Sequence, residues 1–172
     1  MRKTLLLFSL FLFLSTTSYS QNFHPPCGVN QEGLNIITER LLANKARYLD
    51  SPVQFRDIIY VPIKFHLVAK TDGSSRVSVS KVLDQVCALN EDFFDIGIQF
   101  YIYEDFNYLN NTTVYDNHTG AQNSIMFFNR ESKAINIWIV NDATPGGQSP
   151  GGTTLGYYTP QPNLDWLVIK KS

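Results

Sequence analysis

The stretch Ile58-Ile59-Tyr60-Val61-Pro62-Ile63-Lys64-Phe65-His66-Leu67-Val68 decides the fold. Ile59, Val61, Ile63, Phe65 and Leu67 alternate onto one side, the period of a strand with an apolar face. Pro62 has no amide hydrogen to give a ladder, which argues against a central place in a sheet. Thr71-Asp72-Gly73-Ser74 then reads as a turn. Beyond it the period changes. From Ser78 to Ile96, Val79, Val82, Leu83, Val86, Leu89, Asn90, Phe93 and Phe94 trace one helical face. Ser78 suits the N-cap, and Gly97 stands where a left-handed residue ends a helix. A stripe this wide belongs against a sheet.

Working outward, Ile98 to Tyr103 alternates again, with Ile98, Phe100 and Ile102 on one side. Residues 104–134 are polar and read as irregular. Ala134 to Val140 is almost wholly apolar, as for a strand buried on both faces. After a Gly/Pro loop over 144–152, Thr153 to Thr159 and Trp166 to Lys170 read as two further strands. Upstream, Gln31 to Tyr48 has a helical pattern, with Leu34, Ile37, Leu41 and Tyr48 near one stripe and Ser51-Pro52 as its stop. The predicted fold is α+β: a mixed, twisted sheet of about five strands with a backing helix. There are no repeats, and no Gly/Ser-rich linker divides the chain.

The first 20 residues carry a compartment signal. Arg2 and Lys3 precede an apolar run from Leu5 to Leu14, and Ser18 and Ser20 fit a small-x-small cleavage site before Gln21. These are the three parts of a signal peptide, and the run is too short to span a bilayer. The expected product is secreted, periplasmic or extracellular, with no membrane attachment after cleavage. Removal of residues 1–20 leaves 152 of 172 and shifts the net charge from −1 to −3. With no basic tract, nucleic acid is excluded as the expected partner. Twelve Phe and nine Tyr argue for a packed domain rather than disorder.

Motifs for chemistry are sparse. His24 lies in the leader, His66 on the first strand facing away from Ile63 and Phe65, and His118 in the polar region. None has a His or Cys partner at metal-ligand spacing. His66 reads as a hydrogen-bonded structural residue and His118 as a solvated loop residue. Glu91, Asp92 and Asp95 read as a solvated helix end. Asp116 and Asp142 offer loop oxygens of the kind calcium takes, without a fuller ligand set. Asn110-Asn111-Thr112-Thr113 and Asn117-His118-Thr119 fit the glycosylation sequon. Cys27 and Cys87 can form one disulfide in an oxidising compartment, or remain free thiols.

Several segments in order resemble one family. Val61 to Val68, Val82-Leu83-Asp84-Gln85 with Leu89 to Phe93, Ile98-Gln99-Phe100, Ile135 to Val140, and Leu155-Gly156-Tyr157-Tyr158 followed by Asp165 to Ile169 resemble the secreted pappalysin-like zinc metallopeptidases, a branch of the metzincins. The resemblance spans about residues 58–170. It implies a signal peptide over 1–20, a pro-segment-like leader and helix over 21–52, and an incomplete catalytic domain over 53–172, the upper subdomain. It implies zinc held by H-E-x-x-H-x-x-G-x-x-H, with the glutamate as general base for hydrolysis of a peptide or protein substrate. No His-Glu dipeptide occurs here, so no catalytic residue and no zinc ligand are assigned to this chain. This reads as an N-terminal fragment of a zinc endopeptidase. By resemblance, Leu155, Gly156, Tyr157 and Tyr158 belong to the edge strand beside the substrate cleft, and Pro26-Cys27-Gly28 resembles an inhibitory segment whose thiolate takes the fourth zinc position. The other reading is a secreted non-catalytic binding module that uses the same exposed edge.

Overall fold

Residues 31–50, 58–118, 121–144, 154–161 and 164–172 are described by the computed structural model. The signal peptide, the leader with His24 and Cys27, the Ser51-Pro52 stop, the boundary at residues 52 and 53, Thr119, the 145–152 part of the Gly/Pro loop and Thr153 lie outside them, as does the side chain of Tyr48.

The alternating stretch forms β1 (Ile59–Ala69), and the helical stripe forms α2 (Val79–Asp92), preceded in the chain by α1 (Gln31–Asp50). Then come β2 (Ile98–Ile102), β3 (Asn107–Asn110), α3 (Thr112–Asp116), α4 (Ala121–Asn129), β4 (Ile135–Val140), β5 (Gly156–Gln161) and β6 (Leu164–Lys170). The sheet runs β2-β1-β4-β6-β5, with β3 also paired to β1. All pairings are parallel except that of β5 with β6. β2 lies along Ile59–Ile63 and β3 along His66–Ala69, end to end on the side of β1 away from β4.

The α+β expectation holds, with six strands rather than five. Residues 104–134 are not irregular: they contain β3, α3 and α4. Their polar asparagines hid these elements because several serve the backbone. Asn111 caps α3 by accepting from the Val114 amide at 2.9 Å. The fourth strand begins at Gly156 rather than Thr153, and the fifth extends back to Leu164.

Pro62 does not keep β1 from the centre. Ile59 donates to the Gly97 carbonyl and Ile63 accepts from the Tyr103 amide, so odd-numbered residues bond towards β2. Pro62 therefore faces the other side, where pairing with β4 begins only at Ile63. Its missing donor falls just before that ladder begins.

The sheet has two apolar faces. On one, Ile63, Phe65, Leu67 and Ile139 pack against Val82 and Val86 of α2. On the other, Val68, Trp138, Val140, Trp166 and Val168 pack with Val114, Tyr115 and Met126 from α3 and α4. The Ser78 hydroxyl caps α2 at the Lys81 amide, and Gly97 adopts φ 71°. The helix is shorter than expected. It ends at Asp92, a 3-10 turn spans Phe94–Ile96, and Leu83 and Phe94 are exposed rather than on the packed face. Leu41 of α1 is likewise exposed, while Gly33, Leu34, Ile36 and Ile37 are the covered residues of that helix. No helix among the described residues is long and apolar enough to cross a membrane.

Candidate functional site: the open edge of the sheet

A sheet of this kind has two edges, each a row of unpaired amides and carbonyls. Here the edges are treated differently. At β2 the side chain of Asn90 acts as a peptide substitute. Its Nδ2 donates to the Phe100 carbonyl at 2.9 Å, and its Oδ1 accepts from the Phe100 amide at 2.5 Å. That edge is closed in its middle by a helix residue.

Among the described residues, the first half of the β5 edge has no strand or side chain paired to it. Lys170 donates to the Leu155 carbonyl at 2.8 Å, and the register pairs Tyr157 with Val168 and Thr159 with Trp166. Antiparallel ladders alternate, so residues 155, 157 and 159 bond inward and Gly156, Tyr158 and Pro160 turn their main-chain groups outward. Gly156 is required here for close approach. A Cβ at this position would lie 2.9 Å from the Val168 carbonyl oxygen and 3.2 Å from Ile169 Cγ2. Pro160, which has no amide to offer, is at home on an edge strand.

The far end of the edge has an occupant. Arg40 of α1 donates through Nη2 to the Pro160 carbonyl at 2.8 Å and through Nη1 to the Tyr158 hydroxyl at 3.3 Å. The same guanidinium lies 3.7 Å from the Asp165 carboxylate, to which the Tyr158 hydroxyl donates. Gly33, Ile36, Ile37 and Arg40 share one helical face, so α1 reaches the strand through its first half. A groove of about 470 Å³ adjoins this cluster, lined by Pro62, Ser132, Lys133, Ala134, Ile135, Tyr158, Asp165, Trp166 and Leu167.

The four residues expected at the edge therefore divide. Gly156 and Tyr158 present main-chain groups outward. Tyr157 points its ring the other way, into the face of Trp138 and Trp166. Leu155 lies just before the strand and is exposed, tied in only by its carbonyl.

Both described histidines are buried with both ring nitrogens engaged. His66 donates from Nε2 to Asn136 Oδ1 at 3.0 Å and accepts at Nδ1 from Asn107 Nδ2 at 2.9 Å. It stacks on Trp138 with centroids 3.8 Å apart. Burial lowers its pKa to about 4, against a smaller opposing pull from Asn136. Asn136 in turn holds the Glu131 amide and carbonyl and the Ala134 carbonyl, shaping the turn that walls the groove. His66 is thus the hydrogen-bonded structural residue expected. His118 is not solvated. It is fully buried, donates from Nε2 to the Asp142 carbonyl at 2.8 Å, and accepts at Nδ1 from the Tyr157 hydroxyl at 2.8 Å. Burial depresses its pKa, and burial also pushes the Tyr157 phenol up. A histidine set among asparagines and a threonine gives no periodic signal of burial, so pattern reading placed it outside.

Asp116 accepts from Asn141 at 3.0 Å and Asp142 from the Thr144 amide at 2.8 Å. Among the described residues, no three His, Cys, Asp or Glu side chains converge on a metal position. The donors present among the described residues do not fit a zinc ion. The two described histidines have no free nitrogen, and neither has a second ligand beside it. Glu91, Asp92 and Asp95 are exposed at the end of α2, as expected. Cys87 is exposed on α2 without a disulfide among the described residues.

No protein-family model matches the chain, and no curated protein matches it. Among solved structures, a mutant of promirolysin from Tannerella forsythia is similar at 16% identity, with a TM-score of 0.49. The similarity covers 78% of this chain and 54% of that one, so this chain spans about half the length of that structure.

Proposed function

We propose that residues 53–172 are the upper half of the substrate cleft of a secreted zinc endopeptidase, whose zinc ligands lie outside this sequence. The observation that carries the reading is the open edge at Gly156 and Tyr158. Two outward residues in an antiparallel edge strand offer amides and carbonyls to an extended peptide, which adds as one more strand. Specificity then falls to the pockets flanking the edge.

A second observation supports an element still to be added to the sheet. On the α2 face, α2 covers the β1 half, while Ile135 is 41% exposed and Ile137, Leu167 and Ile169 stay half-buried. An apolar strip along two strands calls for a covering layer, and the family's active-site helix is of that kind. No step of peptide hydrolysis is assigned to the present residues, because their donors do not fit zinc. Their part is to bind and orient the substrate. Within this reading residues 1–20 are the signal peptide and 21–52 a pro-segment, with α1 resting on the far end of the edge through Arg40. Cys27 then serves either as a thiolate for the zinc or as a disulfide partner of Cys87.

A second reading is a secreted binding module that uses the same edge without chemistry. It is favoured by the saturation of His66 and His118, which leaves neither described imidazole free to act as a base. Sequencing the genomic region beyond the codon for Ser172 separates the two. An in-frame H-E-x-x-H-x-x-G-x-x-H, with chelator-sensitive cleavage of casein by the expressed frame, supports the peptidase. A stop codon directly after Ser172 overturns it in favour of the binding module.

A further inference from the structure

Among the described residues the main chain of β5 pairs with a strand on one side only, and few side chains hold its open half to the core. Gly156 has none, and Leu155 is exposed. Among the described residues, Tyr157 is the side chain that ties this half of the strand to the buried face of the sheet, while the Tyr158 hydroxyl reaches the exposed Asp165 carboxylate of β6. Its ring packs against the cluster of Trp138, Trp166 and Val168, and its hydroxyl donates to His118 Nδ1 at 2.8 Å. The His118 ring donates onward to the Asp142 carbonyl at 2.8 Å. Asp142 follows β4, the strand two places in from the edge.

The anchor at the other end of this relay is cross-linked by hydrogen bonds. The Asn141 amide donates to the Tyr115 carbonyl at 3.0 Å, Asn141 Nδ2 donates to Asp116 at 3.0 Å, and Asp142 accepts from the Thr144 amide. Residues 115–118 and 141–144 are thus clamped together, and His118 projects from the clamp with no exposed surface. Its two bonds fix one tautomer, hydrogen on Nε2 and a lone pair on Nδ1. The relay runs from edge strand to central strand and bypasses β6.

We propose that His118 is a positioning residue for the sheet edge, acting through Tyr157 to hold β5 so that the outward groups of Gly156 and Tyr158 present one fixed register to an extended peptide. This rests on the reading of β5 as a peptide-binding edge. An edge strand without such a brace opens locally at little cost, and a peptide binding there must then supply the ordering itself.

The test compares amide hydrogen exchange in the full chain, wild type against His118→Ala, Tyr157→Phe and His118→Gln. The inward amides of Tyr157 and Thr159 report opening of β5, and those of Ile137 and Ile139 report the centre of the sheet. Loss of one buried hydrogen bond is expected to lower protection in β5 about tenfold for His118→Ala and Tyr157→Phe, with the centre unmoved. Glutamine keeps a donor and an acceptor about as far apart as the ring nitrogens, so His118→Gln is expected to restore most of the protection. Protection lost equally in β5 and the centre, or unchanged in β5, overturns the brace. A second readout uses the acetylated, amidated hexapeptide Thr-Val-Thr-Val-Thr-Val as probe, followed by chemical-shift changes at Gly156 and Tyr158. Weaker binding by Tyr157→Phe, recovered in His118→Gln relative to His118→Ala, supports positioning. Binding equal in all four forms overturns it. If the wild type takes no probe, the peptide-edge reading fails and positioning fails with it, while the exchange data still decide whether the brace exists.

Discussion

Lowering the pH from 7.5 to 4 adds a proton to a histidine that has no room for one. His66 already carries hydrogen on Nε2, which it gives to Asn136 Oδ1. A second proton must go to Nδ1, where it meets the Nδ2 donor of Asn107 2.9 Å away. Burial beneath the Trp138 ring removes the water that would solvate the charge. The folded-state pKa is therefore lowered from 6.5 to about 4. Because it is depressed, the stabilisation is fully present above the unfolded value and is lost as pH falls towards the folded one. The linkage relation gives a loss of about 2 kcal/mol by pH 5 and about 3 kcal/mol by pH 4. Urea unfolding followed by the fluorescence of buried Trp138 and Trp166 measures it. Other groups titrate over the same range, His118 among them, so the informative quantity is wild type minus His66→Gln. That difference is expected to shrink by about 3 kcal/mol between pH 7.5 and 4. A difference that stays flat across the range refutes the reasoning, because it means that His66 does not carry the cost of the proton.

Three further outcomes follow from the edges and the strand spacing. Gly156→Ala sets a methyl group against the Val168 carbonyl, which β6 holds in place between β5 and β4; a loss of about 1–3 kcal/mol is expected in thermal unfolding, and an unchanged midpoint contradicts the close approach. Asn90→Ala leaves the Phe100 amide and carbonyl without their partner, costing about 1–3 kcal/mol. The bared β2 edge is then expected to drive concentration-dependent association in light scattering, and a stable monomer would count against Asn90 as the closure. Arg40→Ala breaks an ion pair whose side chains are 45% and 56% exposed, so global stability is expected to fall by no more than about 1 kcal/mol. Amides of α1 should nonetheless exchange faster, and an unaltered exchange pattern would show that Arg40 does not hold the helix.

Periodicity made β1, α2, β2, β4 and the pair β5 and β6 legible, because each spends its apolar residues on a face that must be buried. It failed where structure is held by polar side chains. Asn107, Asn110 and Asn111 read as loop, yet they pair with β1, bond to Arg76 and cap α3. Tyr157 and Tyr158 were legible as edge residues, but alternation alone does not say which one turns its main-chain groups outward. The answer came from the Lys170 to Leu155 hydrogen bond, which fixes the phase of the ladder. His118 was illegible for a different reason. Its burial depends on Asp142 and Tyr157, 24 and 39 residues away in sequence, and no local window contains either.

The two sheet edges point to one design pressure with two outcomes. An unprotected edge invites pairing with another chain, and proteins usually blunt it. At β2 the bluntness is permanent, since Asn90 belongs to a helix that also supplies Val82 and Val86 to the core. At β5 the described blunting comes from Arg40, on a helix whose Leu41, Leu42 and Leu49 stay exposed and which adds an exposed ion pair and two hydrogen bonds to the covered face of Gly33, Leu34, Ile36 and Ile37. A cover that lies on one strand end leaves the rest of the edge to other partners. Meanwhile the brace proposed for Tyr157 and His118 holds the strand beneath it from inside, where it leaves the outward groups of β5 unobstructed. Closing one edge for good, while bracing the other and covering it at one end, is what a sheet needs if an extended chain is to come and go along β5.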